Sequence, residues 1–237
     1  MENPGLSRLD ELSREHSGEV ASYSGIAMKE LLLLVIVAAS LGATWYFGYA
    51  TMITTMVTGI MGLIACIAIT AKPAWAGTLS PLYAILEGMF LACITVVSEA
   101  FYPGIVFDAV LMTMGIAFAA AFVYSRGLIK VDSRFMSAVS VMLVGLLFCY
   151  LGRLVLEFFF GVSFSFLDHG LIGVVVSVGI LLLATACLFM DYEQIRATVE
   201  GGLSKDYEWF CAFSLLVTII WIYIRVLDLL RILRSDD

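Results

Sequence analysis

Between Leu31 and Ala71 the chain runs for 41 residues without a charged side chain. One membrane-crossing helix takes about 20 residues, so this run holds two. Gly48-Tyr49-Ala50-Thr51 is the expected turn between them, and Lys72-Pro73 ends the second, because proline disfavours helix at the residue before it. No soluble fold hides such a stretch easily. The composition agrees: 62% of residues are hydrophobic and only 14% charged, where a soluble domain has roughly 25% charged. Soluble enzymes, coiled coils and disordered chains are excluded. The formal charge of −7 and the lack of a basic run argue against nucleic-acid binding.

Five further apolar segments bring the expected spans to about 31–48, 52–71, 79–98, 105–125, 135–160, 171–190 and 209–231. Turn and charge signals separate them: Tyr102-Pro103-Gly104, Arg126-Gly127 through Arg134, Gly161 to Gly170, and Asp191 to Glu208. The predicted architecture is an all-α integral membrane protein, a seven-helix bundle over residues 31–234. Residues 1–30 form a polar acidic N-terminal tail and 235–237 a short C-terminal end. The start of the chain lacks the basic region and short apolar run of a cleaved signal peptide. Nine bases fall on the side holding the N-tail and the even-numbered loops: Arg8, Arg14, Lys29, Lys72, Arg126, Lys130, Arg134, Arg196 and Lys205. The positive-inside rule then makes the N-terminus cytoplasmic. Arg231 and Arg234 run against the rule, and a last segment that failed to cross would put the C-terminus on the same side.

Ionisable groups at membrane depth are costly and face the bundle interior or a water-filled cavity. Glu87 shares a stripe of the third helix with Ser80, Tyr83, Thr95 and Ser98; it either lines a pore or makes a structural hydrogen bond. Arg153 and Glu157, four apart, suit an intrahelical pair. Asp108 reads as an interfacial acid at a helix start. Asp191 ends the sixth helix. Arg225 and Asp228 lie deep in the seventh, three apart, and a buried Arg demands a carboxylate partner: Asp228, Asp191 or Glu87. If Arg225 is so buried, its loss is expected to cost ~3–5 kcal/mol. Thr51, Thr54, Thr55, Thr58, Gly59 and Gly62 on the second helix read as a close-packing face.

The five cysteines, Cys66, Cys93, Cys149, Cys187 and Cys211, are scattered and apolar in context, as packing residues are. No HExxH, Walker, GxSxG or GxGxxG motif occurs. The late helices carry no Schiff-base lysine, and His16 and His169 fall outside the spans. No enzymatic activity, cofactor or tightly bound metal is expected.

Several segments resemble the bacterial branch of the Bax inhibitor-1/YccA-like family: Tyr83-Ala84-Ile85-Leu86-Glu87-Gly88, Tyr102-Pro103-Gly104-Ile105-Val106, Ser125-Arg126-Gly127-Leu128-Ile129-Lys130-Val131, Asp191-Tyr192-Glu193-Gln194-Ile195, Tyr207-Glu208-Trp209 and Trp221-Ile222-Tyr223-Ile224. The resemblance covers about residues 30–234. It implies a central last helix and a pH-sensitive calcium leak through a bacterial inner membrane, gated by one acid on helix 6 and one on helix 7. Asp191 matches the first. The second falls on Arg225, with Asp228 the nearest acid; if Arg225 faces Asp191, the carboxylate dyad becomes a carboxylate–guanidinium pair, and the gate would weaken, shift or move to Asp228 or Glu87. On this reading the partners are the bilayer, Ca²⁺ as the permeating ion, and H⁺, and a monomer is favoured. The alternatives are a non-conducting membrane interaction protein and, ranked last, a proton-coupled transporter.

Overall fold

Seven α-helices account for most of the described chain, which comprises residues 19–161 and 170–235 of the computed structural model. They are α1 (Tyr23–Tyr46), α2 (Met52–Ala71), α3 (Ala76–Phe101), α4 (Ile105–Ser125), α5 (Ser133–Phe160), α6 (Gly170–Glu200) and α7 (Tyr207–Ser235), with a single 3-10 turn at Pro73–Trp75. All are long and apolar enough to cross a bilayer. Lipid offers a backbone no hydrogen-bond partner, so a spanning segment must satisfy its own amides, and helices do so. Three of the starts are capped by side chains: Ser22 accepts from the Gly25 amide, Thr51 from Thr54 and Asp132 from Phe135. Gly104, at φ +85°, takes the left-handed conformation that the turn into α4 requires.

The helices outrun the sequence-predicted spans. The tail assigned to 1–30 yields its last eight residues to α1, which starts at Tyr23. Its Lys29 and Glu30 read as exterior by charge, yet Glu30 is buried and Lys29 finds an acid on α7. Helix α6 continues past Asp191 to Glu200, so Asp191 lies within the helix and not at its end. The extension buries Asp191, Ile195 and Thr198 at helical spacing and exposes Arg196 and Glu200. Helix α7 likewise carries through Arg231 and Arg234, at 29 residues, or about 43 Å at 1.5 Å per residue. The first eighteen tail residues with His16, the loop 162–169 with His169, and Asp236 and Asp237 lie outside the described residues.

Burial is uneven. The apolar window of α7 is 56% buried, the largest share of any helix, whereas that of α5 is 6% buried.

The chain divides into two compact units. The first holds the described residues up to Phe90 together with Gln194–Ser214. Within it, α1 and α3 touch closely at Gly88, where an added Cβ would strike the Val37 carbonyl and lie 2.8 Å from Ser40 Cβ. Ser40 also donates to the Ile85 carbonyl at 2.8 Å. Helix α2 buries Thr58, Gly62, Ala65 and Ile69; of the close-packing face expected from the sequence only Thr58 and Gly62 are buried, and Thr51 is exposed. Tyr83 stacks edge-on against Phe213, ring centres 5.0 Å apart.

The second unit holds Leu91–Glu193 and the chain from Leu215. Thr95 and Tyr223 share a buried hydroxyl contact of 3.1 Å between α3 and α7. Arg234 clamps the α4 start, donating to Asp108 at 2.5 Å and to the Pro103 carbonyl at 3.1 Å.

Candidate functional site

Glu87 projects from α3 toward α2 in the first unit. A Cβ on Gly62 would lie 3.3 Å from its Oε1, so the carboxylate approaches the α2 backbone closely there. The sequence stripe is real: Ser80, Tyr83, Thr95 and Ser98 are buried, and Glu87 is half-buried among them along α3.

The first unit also holds an ion pair that sequence reasoning did not single out. Glu208, in the first turn of α7, is fully buried. Its Oε2 accepts from Lys29 of α1, and its Oε1 from the Ser22 amide at 2.8 Å and the Ser22 hydroxyl at 3.0 Å. Lys29 also lies 5.3 Å from the centre of the Trp209 ring. Gly25 is required beside it, because a Cβ there would overlap the Glu208 carboxylate. Just upstream, the strap Glu19–Ser22 is stitched to the α6–α7 connection. Ala21 donates to the Leu203 carbonyl at 2.8 Å and Lys205 to that of Glu19 at 2.9 Å, while the Lys205 ammonium pairs with the Glu19 carboxylate. That hydrogen bond holds Glu19 below the usual carboxylate range and raises Lys205. The one signal available in the sequence was the Tyr207-Glu208-Trp209 run, which names the acid but not its partner 179 positions away.

In the second unit, Asp191 is 7% exposed. The residues after it tie α6 to α4. Tyr192 donates to the Ala117 carbonyl at 3.1 Å, Tyr124 donates to Glu193 at 2.7 Å, and the two tyrosine rings lie 5.7 Å apart.

Arg225 and Asp228 do pair, as one of the three candidate pairings proposed. Arg225 Nη2 lies 3.0 Å from Asp228 Oδ2, and its Nη1 donates to the Tyr150 hydroxyl at 3.2 Å. Arg231 approaches the other Asp228 oxygen at 3.4 Å and reaches across to the Ile94 carbonyl and Ser98. These groups line a cavity of about 770 Å³ between α5, α6 and α7, shared with Arg153, Ser177 and Ile180. Arg153 also pairs with Glu157 at 2.9 Å, the intrahelical pair expected.

Of the three partners weighed for Arg225, the structure gives Asp228 and not Asp191. Arg225 shares its cavity with Ser177 and Ile180, and Asp191 lies eleven residues beyond Ile180, about 16 Å farther along α6 at 1.5 Å per residue. Arg225→Asp would therefore not rebuild a dyad with Asp191. The C-terminal bases that broke the charge rule, Arg231 and Arg234, are held by Asp228 and Asp108. Among the described residues, no three His, Cys, Asp or Glu side chains converge on a metal position.

Seven helices long and apolar enough to cross a bilayer, among the described residues, define a multi-pass α-helical membrane protein. The chain belongs to the Bax inhibitor 1 like family, whose profile matches residues 3–235, nearly its whole length. No curated protein and no solved structure matches it.

Proposed function

We propose that this protein is a passive, proton-sensitive cation leak, with Ca²⁺ as the permeating ion and Asp191 as the gating carboxylate. The reading is carried by one observation: a carboxylate 7% exposed on a 31-residue apolar helix. Burying such a group is expensive, and membrane proteins retain it where ions or protons are handled. Carboxylate oxygens are the ligands a hard cation takes. Glu87, beside α2 in the first unit, is a separate candidate carboxylate. Arg225 and Asp228 form a charge pair about three turns away and act on the gate only through α6 and α7. The nine bases on the N-terminal side support a cytoplasmic N-terminus, and the resemblance to the bacterial branch supports a bacterial inner membrane. No enzymatic step or cofactor enters this reading.

The test is Ca²⁺ entry into proteoliposomes holding a trapped indicator, over roughly pH 6 to 8, with Asp191→Asn in parallel. A pH-dependent leak that loses its pH response in the variant is the expected result. No flux above empty liposomes at any pH overturns the reading and favours a non-conducting interaction protein.

A further inference from the structure

The cavity between α5, α6 and α7 reaches the middle of the hydrocarbon layer. Helix α6 carries 21 uncharged residues from Gly170 to Met190. At 1.5 Å per residue they span about 30 Å, the thickness of that layer. Ile180 is the eleventh of them and marks the midplane, and it lines the cavity together with Ser177. Arg225 and Asp228 line the same cavity from α7. Their ion pair is incompletely covered: the Arg225 side chain is 21% exposed, and those of Asp228 and Arg231 are 30% exposed. Whatever else holds these groups, that part of their surface faces open space.

Hydrocarbon against a charged group is costly, and ionisable groups at this depth face the bundle interior or water. The exposed part of a pair that already lies inside the bundle therefore meets water. The cavity has room for it: 770 Å³ far exceeds the ~10–15 Å³ that one water needs. Water also needs polar partners. The Tyr150 hydroxyl accepts from Arg225 and keeps its own hydrogen to donate, and Ser177 adds a second hydroxyl. The rest of the wall, with Phe148, Leu156 and Val176, is apolar. An acyl chain would cover that wall but would lie against the ion pair, so the charges select water over lipid.

We propose that the α5–α6–α7 cavity is an aqueous vestibule, which brings water from the membrane face where α5 ends and α6 begins to the midplane of the bilayer. Beyond Ile180, toward Asp191, α6 is fully buried and apolar at Ala184 and Leu188. In a leak gated at Asp191 the seal would lie in that packed half of α6. This consequence rests on the leak reading; the vestibule does not, and it is detected without any ion flux.

Cys149 of α5 lines the cavity and is exposed. Leu147, two residues away and at nearly the same depth, is also exposed but lies outside the cavity wall. The full-length protein is placed in phosphatidylcholine nanodiscs, which leave both membrane faces open, and treated with a charged, membrane-impermeant methanethiosulfonate. A thiol in water loses its proton and attacks the reagent; a mixed disulfide forms and methanesulfinate leaves. A thiol in hydrocarbon meets neither water nor reagent. Peptide mass spectrometry reads each site. Cys149 should react roughly tenfold faster, or more, than Leu147→Cys in a Cys149→Ala background. Val176→Cys, on the α6 wall, should react as Cys149 does. Circular dichroism checks the fold of the variants. A second measurement needs no variant: hydroxyl radicals generated in the water should oxidise Phe148, on the cavity wall, severalfold more than Phe118 of α4, which is equally exposed at 68%. Equal rates at Cys149 and Leu147→Cys, a folded Val176→Cys that stays unreactive, or equal oxidation of the two phenylalanines overturns the proposal.

Discussion

Replacing Lys29 with methionine removes the ammonium from Glu208 while keeping an unbranched side chain of similar length beside Trp209. Glu208 is fully buried, and the Lys29 side chain is 15% exposed, so solvent screens the pair little. Removing one partner of a buried pair costs ~3–5 kcal/mol. The two Ser22 donors remain at 2.8 and 3.0 Å and hold the carboxylate, which places the loss at the lower end of that range. Loss of the contact with the Trp209 ring adds ~0.5–1 kcal/mol. The expected sum is ~3–4 kcal/mol, a fall in melting temperature of roughly 10 °C for a chain of this size. Thermal unfolding in detergent, followed by circular dichroism, reads it. Glu208→Gln and the double variant complete a cycle, in which the double variant should lose ~2 kcal/mol less than the sum of the singles. A Lys29→Met loss below ~1 kcal/mol, or strict additivity, would refute the assignment of Glu208 as a buried charge held by Lys29.

Two further outcomes follow from the same packing. Arg225→Ala should cost ~1–2 kcal/mol, not the ~3–5 that an isolated buried pair implies, because Asp228 keeps Arg231 and is 30% exposed; unfolding of the variant checks it, and a loss above ~4 kcal/mol would mean that Arg225 holds more than Asp228 and Tyr150. Gly88→Ala should destabilise by ~1–3 kcal/mol, since the new methyl meets the α1 backbone rather than a flexible side chain, whereas Gly115→Ala, with open space around its Cβ, should be neutral or slightly stabilising.

The number and order of the helices were legible because lipid leaves so few alternatives. A run of 41 uncharged residues can only be two spans, and the turn signals at Gly48, Pro73, Gly104 and Gly161 sit where the helices end. The boundaries at Tyr23 and Glu200 were not legible, since a charge reads as exterior until its partner is known. Lys29 belongs in α1 because Glu208 receives it, and no local pattern announces that. Pairs three or four apart, Arg153 with Glu157 and Arg225 with Asp228, were readable because helical geometry fixes them. Register between α6 and α7 was not, so the choice among Asp228, Asp191 and Glu87 for Arg225 stayed open until the structure put Arg225 in one cavity with Ser177 and Ile180. Arg231, assigned to a tail by its charge, is instead a wall of the cavity.

The Lys29–Glu208 pair also bears on how the protein comes into being. Lys29 enters the membrane with the first helix to be synthesised, and its counter-charge arrives 179 residues later. The first unit is complete only when Gln194–Ser214 joins residues made long before. At translation rates of about 5–20 residues per second, α1 waits on the order of ten seconds or more with its ammonium unneutralised. A ribosome that stops early therefore leaves behind a helix marked by an exposed charge, a mark by which quality control can tell an unfinished chain from a finished one.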